Sequence, residues 1–478
     1  MPASGGAPKI LTPGLTDEHS LAWSPDGRRI AFISNHSADP DSNYNNHVFV
    51  AEVPSGVTTQ LTRTTGTEFR PAFSPDGNWI AYLGWSREQN TRDSPAEDTQ
   101  LWIVPSIGGS PRKLSTSLDR RITEIAWNPD GHSIYCLAGD RGTVEIFRIS
   151  TDRGLVENIT SGNNTVRSFS FDSRGARMAW VQTEITQPPE VFIGNADGRG
   201  ARILTHENQP FTHAAVAQNA EPFWFDSFDG TRVQGWAMKP LGAGVAQNNQ
   251  KYPAVLEVHG GPHGMFGFAY SERFQLLAAQ GYGVVYINPR GSAGYGQKFS
   301  DGSLMNWGGG DYKDLMAGLD YAIAHNSRID RDKLAVIGGS YGGFMANWIV
   351  TQTHRFRAAV SIAGVSDLIS FYGTSLYPDL IESEFHGVPW NNWELLWQWS
   401  PLNHVKDAST PLLLLHGELD NDVPVTQAEE MYASLRRMGV PTMLVRYPHE
   451  GHGLRQPRHV MDMDQRISDW LTKYLRGE

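Results

Sequence analysis

Four copies of one short turn motif constrain the first half of the chain. Trp23-Ser24-Pro25-Asp26-Gly27 recurs as Phe73-Ser74-Pro75-Asp76-Gly77 and as Trp127-Asn128-Pro129-Asp130-Gly131, then in degenerate form as Phe171-Asp172-Ser173-Arg174-Gly175. The glycines at 27, 77, 131 and 175 stand 50, 54 and 44 residues apart. That period points to propeller blades rather than unrelated hairpins. Proline presets φ, aspartate bonds back to the backbone, and glycine accepts φ > 0, so each copy predicts a tight turn. An apolar run such as Ile30-Ala31-Phe32-Ile33 or Ile80-Ala81-Tyr82-Leu83 follows the turn, and a second comes later, as Val48-Phe49-Val50 or Leu101-Trp102-Ile103-Val104. One such sheet cannot bury its faces alone, so the repeats are expected to stack around an axis. The expectation is an all-β, propeller-like domain of about four recognisable blades over residues 1–215.

From 216 to 478 the pattern changes. Apolar strand-like runs (Ala254–Val258, Gly283–Ile287, Leu334–Ile337, Ala358–Ser361, Leu412–Leu415, Thr442–Arg446) alternate with amphipathic stretches such as Tyr312–Ala324 and Gln427–Met438. A last helix is expected near Val460–Leu475. This alternation is the signature of a mainly parallel α/β sheet. The boundary falls in the polar, aperiodic stretch His206–Ala220, and Leu241–Gln250 reads as an exposed loop.

The chemistry is concentrated where strands end. Leu334–Ile337 runs into Gly338-Gly339-Ser340-Tyr341-Gly342-Gly343, and a helix-compatible stretch, Phe344–Val350, follows. G-x-S-x-G between a strand and a helix is the context of a nucleophile elbow, and it predicts an α/β-hydrolase domain with Ser340 as nucleophile. The helix that follows directs its N-terminal N–H groups at developing negative charge. A serine hydroxyl needs a base, and in this fold the acid and then the histidine follow it in sequence, each after a strand. His452, set between glycines in Glu450-Gly451-His452-Gly453, is the candidate base, with His449 and His416 as competitors. The segment His416-Gly417-Glu418-Leu419-Asp420-Asn421-Asp422-Val423-Pro424 supplies Asp420 and Asp422 as competing acids. If that segment is extended, the two side chains point in opposite directions and only one can orient the imidazole. Acyl transfer also needs donors for an oxyanion. The backbone N–H of Tyr341 is one candidate, and the loop Val258-His259-Gly260-Gly261-Pro262 is positioned to supply the other.

With these residues assembled, the second domain resembles the prolyl oligopeptidase family, especially its acylaminoacyl-peptidase and dipeptidyl-peptidase-like branches. The resemblance spans nearly all of Glu221–Glu478. It runs through His259–Pro262, Asn288-Pro289-Arg290-Gly291-Ser292-Ala293-Gly294-Tyr295-Gly296, Gly338–Gly343, His416–Pro424 and Glu450–Gly453. It implies a propeller in front of the hydrolase, an active site facing a cavity between them, and entry limited to short peptides. It further implies that Asp420 is the acid and the Gly261 N–H the second oxyanion donor. Two departures stand out. The family's propellers have seven or eight blades, so four leave the domain about 150 residues short at ~40–50 per blade. Either the propeller is reduced or open, or the chain lacks its N-terminal part. In addition, Asp422 occupies a place where many relatives carry arginine or asparagine, and an ionised carboxylate cannot donate to a substrate backbone. Asp422 is therefore a candidate to face the substrate channel, and Phe371 and Tyr372 are candidates for an apolar specificity pocket, with core packing as their alternative. No paired-glutamate motif for gripping a free amino terminus is visible. Glu97 and Asp98 lie in a polar insertion that reads as a solvated loop, with a position facing the cavity as the alternative.

Composition excludes several other classes. A net charge of −11 argues against a nucleic-acid partner, and no apolar run reaches the ~20 residues that span a bilayer. The single cysteine, Cys136, rules out an intrachain disulfide and a Cys-rich metal site, and no cofactor is expected. The opening MPASGGAPKILTPGL carries no signal-peptide pattern, so the expectation is a cytoplasmic protein, subject to the question of missing N-terminal blades. The expected activity is a serine peptidase acting on short peptides through an acyl-enzyme. A carboxylesterase with the same triad and a non-enzymatic propeller scaffold are the alternatives. A homo-oligomer is left open.

Overall fold

The computed structural model describes residues 5–41, 43–53, 55–88, 96–214, 216–242 and 251–477. Its first half contains four blades of four antiparallel strands. The first blade comprises Glu18–Trp23, Arg29–Ser34, His47–Glu52 and Thr58–Gln60, and the others span Glu68–Lys113, Ile122–Asn158 and Thr165–Ile203. Each repeated turn joins the first two strands of its blade. In the first, Asp26 Oδ1 accepts from the Ser24 hydroxyl (2.6 Å) and the Arg28 N–H (3.0 Å), while Gly27 takes φ 67°. In the second, Asp76 repeats both bonds and Gly77 takes φ 74°. Between blades, Leu83, Leu101, Ile134 and Phe147 share one buried cluster, and Tyr135, Trp180 and Phe169 share the next.

A second repeat fixes the outer strands. In each third strand, a backbone N–H donates to a hydroxyl beyond the fourth strand. The pairs are Val48 to Thr62, Leu101 to Ser115, Ile146 to Thr160 and Val191 to Thr205, all at 2.9 or 3.0 Å. Each hydroxyl then donates to a buried side chain, respectively Glu68, Gln100, Glu145 and Glu190. A buried N–H and a buried carboxylate or amide are thus satisfied by one threonine or serine.

The second half is one eight-stranded sheet. In spatial order its strands are Ala220–Asp226, Arg232–Met238, Gly283–Asn288, Tyr252–Val258, Ile329–Gly339, Ala358–Ile362, Leu412–Gly417 and Thr442–Tyr447. The last six pair in parallel, and the first two form an antiparallel edge. The helices Gly310–His325, Tyr341–Gln352 and Thr426–Arg437 cover one face, while Glu272–Ala279 and Pro457–Leu471 cover the other. The antiparallel edge and three helices between Leu368 and Gln398 go beyond the sequence expectation. Most of the expected loop Leu241–Gln250 lies outside the described residues, at 243–250. No helix among the described residues is long and apolar enough to cross a membrane.

The two halves meet at blades two, three and four, the last through Thr183 and the Ile185 oxygen, which accept from the Tyr270 N–H and the Gln275 side chain. The tip of blade three inserts against the loops after Val258 and Asn288: the Phe268 N–H donates to Gly142 O (2.9 Å) and the Arg141 N–H to Gly294 O (3.0 Å). The chains approach so closely that a methyl group on Gly267 would lie 1.7 Å from that Gly142 oxygen. Blade two contributes Glu97 and Asp98, which corrects the expectation of a solvated loop. Both are buried: Glu97 accepts from the backbone of Ser86 and Arg87, and Asp98 from Arg121 Nε (3.2 Å). The Asp98 N–H donates to the Gln297 side chain of the hydrolase (2.8 Å). Polar residues in an insertion are solvated only when no second domain covers them, and here one does.

Candidate active site

Ser340 closes the central strand and caps the helix Tyr341–Gln352 with φ 58° and ψ −121°, a positive-φ conformation that costs a non-glycine residue ~1–3 kcal/mol. The turn survives because its neighbours have no side chains. A methyl group on Gly338 would lie 2.1 Å from the Gly342 oxygen, and one on Gly342 would lie 2.2 Å from the Val258 oxygen. The Ser340 N–H donates to Ile362 O (2.9 Å), which ties the elbow to the next strand.

Three strand ends bring the polar groups together. His452 Nε2 lies 2.9 Å from Ser340 Oγ, and His452 Nδ1 lies 2.9 Å from Asp420 Oδ2. Asp420 is buried, and its other oxygen accepts from the N–H groups of Asp422 (3.0 Å) and Val423 (2.9 Å). Burial alone would raise this carboxyl, but hydrogen bonds from His416 and His452, together with the backbone donor Val423, outweigh it and hold the group at about 2. Asp420 is therefore ionised at any pH where the protein would work. The same two backbone bonds wrap the segment into a turn, so it is not the extended strand on which the opposite-facing geometry of Asp420 and Asp422 depended. His416 is buried against Asp420, 2.7 Å from the Val423 oxygen, and His449 is exposed. Glu450 steadies the histidine loop by accepting from the N–H groups of Arg455 and Gln456 and from His459.

A cavity of about 160 Å³ opens on Ser340. Trp307, Val365, Phe371, Leu380 and Val423 form its apolar wall, and Gly261, Tyr341, Asp422 and His452 complete it. Phe371 and Asp422, two of the sequence candidates, thus line this cavity. Tyr372 is turned elsewhere: its hydroxyl donates to Glu382 (2.8 Å) and its ring meets Trp390 edge-on. Adjacent residues on a helix diverge by about 100°, so only one of the pair can face the cavity.

The loop after Val258 lies against the elbow. A methyl group on Gly260 would lie 3.4 Å from Ser340 Cβ. Among the described residues, no backbone carbonyl accepts from the N–H of Gly261 or Tyr341, so both donors are available to a ligand oxygen. His259 is pushed down to about 4 by burial, despite its bond to the Gly260 oxygen, and pins the loop to Ser292 (2.9 Å). The Tyr341 hydroxyl donates to Asp311, whose carboxyl burial pushes up to about 6. Sequence reasoning missed Asp311, Glu384 and Trp307. A Trp-Gly-Gly-Gly-Asp run at Trp307–Asp311 is the one signal that could have drawn attention to two of them.

Residues 5–232 match the model of the TolB beta propeller domain and residues 268–478 that of the prolyl oligopeptidase family. The uncharacterized peptidase YuxL of Bacillus subtilis is 35% identical over 488 residues, covering 98% of this chain and 73% of its own length. A dipeptidyl-peptidase 5 of Porphyromonas gingivalis is 27% identical over 480 residues, covering 98% of this chain and 68% of its own length. The solved structure of uncomplexed Pyrococcus horikoshii acylaminoacyl peptidase superposes with a TM-score of 0.84 at 25% identity, over 97% of this chain and 71% of that one. A puromycin-hydrolyzing peptidase of Mycobacterium tuberculosis shares the fold, with a TM-score of 0.74 at 20% identity over 96% and 79% of the two chains.

Proposed function

Because the chain belongs to the prolyl oligopeptidase family of serine peptidases, we propose that it cleaves short peptides after an apolar residue, with Ser340 as nucleophile, His452 as general base and Asp420 as its orienting acid. The observation that supports this reading is the bridging imidazole, 2.9 Å from the serine on one side and 2.9 Å from a buried carboxylate on the other. Asp420 fixes the tautomer that leaves Nε2 free to accept the Ser340 proton, and it stabilises the imidazolium that follows. The Ser340 oxygen then attacks the peptide carbonyl, and the oxyanion settles between the N–H groups of Gly261 and Tyr341. Collapse expels the amine, which takes its proton from His452, and water cleaves the acyl-enzyme by the same steps in reverse order. The 160 Å³ cavity is smaller than the ~300–1,000 Å³ of whole-ligand sites, so it suits a single apolar side chain. The family architecture, a propeller in front of the hydrolase, favours short substrates over folded ones.

A fluorophosphonate probe should label Ser340, and Ser340→Ala should remove that label. A panel of chromogenic amides with free, acylated and blocked amino termini, run beside a simple ester, defines the substrate class. Turnover of the ester with none of the amides would reject the peptidase reading.

A further inference from the structure

Glu384 is a fully buried carboxylate near the site, carried on the helix Pro378–Phe385. That helix belongs to the excursion between the strands Ala358–Ile362 and Leu412–Gly417, and it also carries Leu380 into the cavity wall. The two oxygens of Glu384 take different partners. Oε1 lies 2.9 Å from His263 Nε2, and Oε2 accepts from Trp307 Nε1 at 3.0 Å. Its backbone carbonyl accepts from the N–H of Met305 (2.7 Å), a residue held at φ 57° in the turn that delivers Trp307.

Each partner stands behind one of the two candidate oxyanion donors. His263 follows Gly261 by two residues, and the loop folds back so tightly that a methyl group on Gly261 would lie 2.4 Å from the His263 nitrogen. The far side of the ring is also fixed: Nδ1 lies 2.6 Å from Gly291 O, a carbonyl that can only accept. His263 is therefore clamped between two acceptors and cannot rotate without breaking a buried bond. Trp307 stands perpendicular to the Tyr341 ring, with centroids 5.1 Å apart and planes at 87°, and Tyr341 carries the other donor. Asp311 holds the Tyr341 hydroxyl, so the ring is held at its tip and packed against Trp307.

We propose that Glu384 is a positioning residue, whose shared carboxylate sets the spacing between the Gly261 and Tyr341 N–H groups that receive the oxyanion. The proposal rests on the reading of Ser340 as nucleophile. It adds that reach matters more than charge. In Glu384→Gln the amide oxygen accepts from Trp307, and the amide nitrogen donates to His263 Nε2 while Nδ1–H keeps its bond to Gly291. In Glu384→Asp the charge remains, but the shorter side chain cannot span both partners.

The experiment measures kcat and KM on one amide and one ester for both variants. It adds the inhibition constants of a trifluoromethyl ketone, which becomes an oxyanion on the enzyme, and of the acid product, which does not. Displacing oxyanion donors costs on the order of 10²-fold or more in rate. The expected result is a kcat about 10²-fold lower for Glu384→Asp on both substrates, with ketone binding weakened in parallel and product binding within about threefold of wild type. Glu384→Gln should stay within about tenfold of wild type in kcat. Wild-type kcat in a folded Glu384→Asp overturns the proposal, as does equal loss of ketone and product binding. A Glu384→Gln variant worse than Glu384→Asp also overturns it, because charge would then outrank reach, and that comparison stands even if Glu384→Asp folds poorly. Failure of the fluorophosphonate to label wild-type Ser340 would instead remove the underlying reading, independently of these variants.

Discussion

Both halves of the molecule bury carboxylates, and they do so to different ends. In the propeller, Glu68, Glu145 and Glu190 each accept from a threonine hydroxyl that also closes a backbone N–H, so the acid belongs to a repeated latch. Blade two replaces the acid with Gln100 and keeps the latch, which shows that the charge is dispensable there. In the hydrolase no buried acid repeats. Asp420 holds His452, Asp311 holds Tyr341, and Glu384 holds His263 and Trp307. A buried acid that recurs with the fold serves the same hydroxyl in each blade and can be exchanged for an amide, whereas each acid that appears once beside the nucleophile holds its own partner in the site. Substitutions in the two halves should therefore separate activity from stability.

The largest effect is expected at the triad. Ser340→Ala and His452→Ala should each lower kcat by on the order of 10⁶-fold, and Asp420→Asn by roughly 10⁴-fold, with unfolding midpoints near wild type. His449→Ala, in an exposed residue, should leave kcat within about twofold. If Asp422→Asn rather than Asp420→Asn silences the ester, the acid is misassigned.

Next in size is the cavity. Val365→Phe places a larger ring in the 160 Å³ space. It should lower kcat/KM for a substrate with phenylalanine before the scissile bond by about 10–100-fold, and much less for one with alanine there. Equal losses on the two substrates would mean that this cavity does not receive that side chain.

Much of this contrast is legible in the sequence, and the exceptions have physical causes. The elbow can be read because steric crowding leaves only glycine at Gly338 and Gly342, so the requirement is written locally. The Asp-Gly turns are legible because Gly27, Gly77 and Gly131 take φ of 67°, 74° and 74°, a backbone requirement that is also written locally. The latch is also written in the sequence, as Leu61-Thr62, Leu114-Ser115, Ile159-Thr160 and Leu204-Thr205, but each pair is unremarkable until a partner strand is placed beside it. Pro378 and Pro389 open helices at their first turns, a start signal that the surrounding aperiodic sequence obscures. Glu384 could not be found this way. It meets His263 across 121 residues and Trp307 across 77, and nothing near it in sequence records either contact.

The latch supplies the third test. Thr160→Val keeps the side-chain shape but removes the hydroxyl, leaving the Ile146 N–H and the Glu145 carboxylate without that partner. A buried donor left unsatisfied costs about 1–3 kcal/mol, so the urea midpoint should fall while kcat on the amide stays at the wild-type value. A variant that lost activity without losing stability would break the division between the halves.

The effect confined to one end of the pH range is the sharpest probe of that division. Burial pushes the Glu145 carboxyl up from 4.5 to about 7, against the hydrogen bonds from Thr160 and Thr143. A group whose folded value exceeds its unfolded one gives stability that is fully present below pH 4.5 and is lost as pH rises through 7. The loss for this residue amounts to at most on the order of 3 kcal/mol by pH 8. Glu145→Gln cannot ionise, and Gln100 in blade two shows that an amide accepts the same hydroxyl bond. The variant should therefore match wild type at pH 4 and exceed it in urea midpoint at pH 8, with kcat unchanged at both. Glu257 and Asp311 are also raised by burial, to about 7 and about 6, so wild type and variant alike should weaken with pH. The difference between the two curves isolates Glu145. Parallel curves would mean that this carboxylate is as solvated when folded as when unfolded, and the propeller's acids would then differ from the hydrolase's in burial as well as in role.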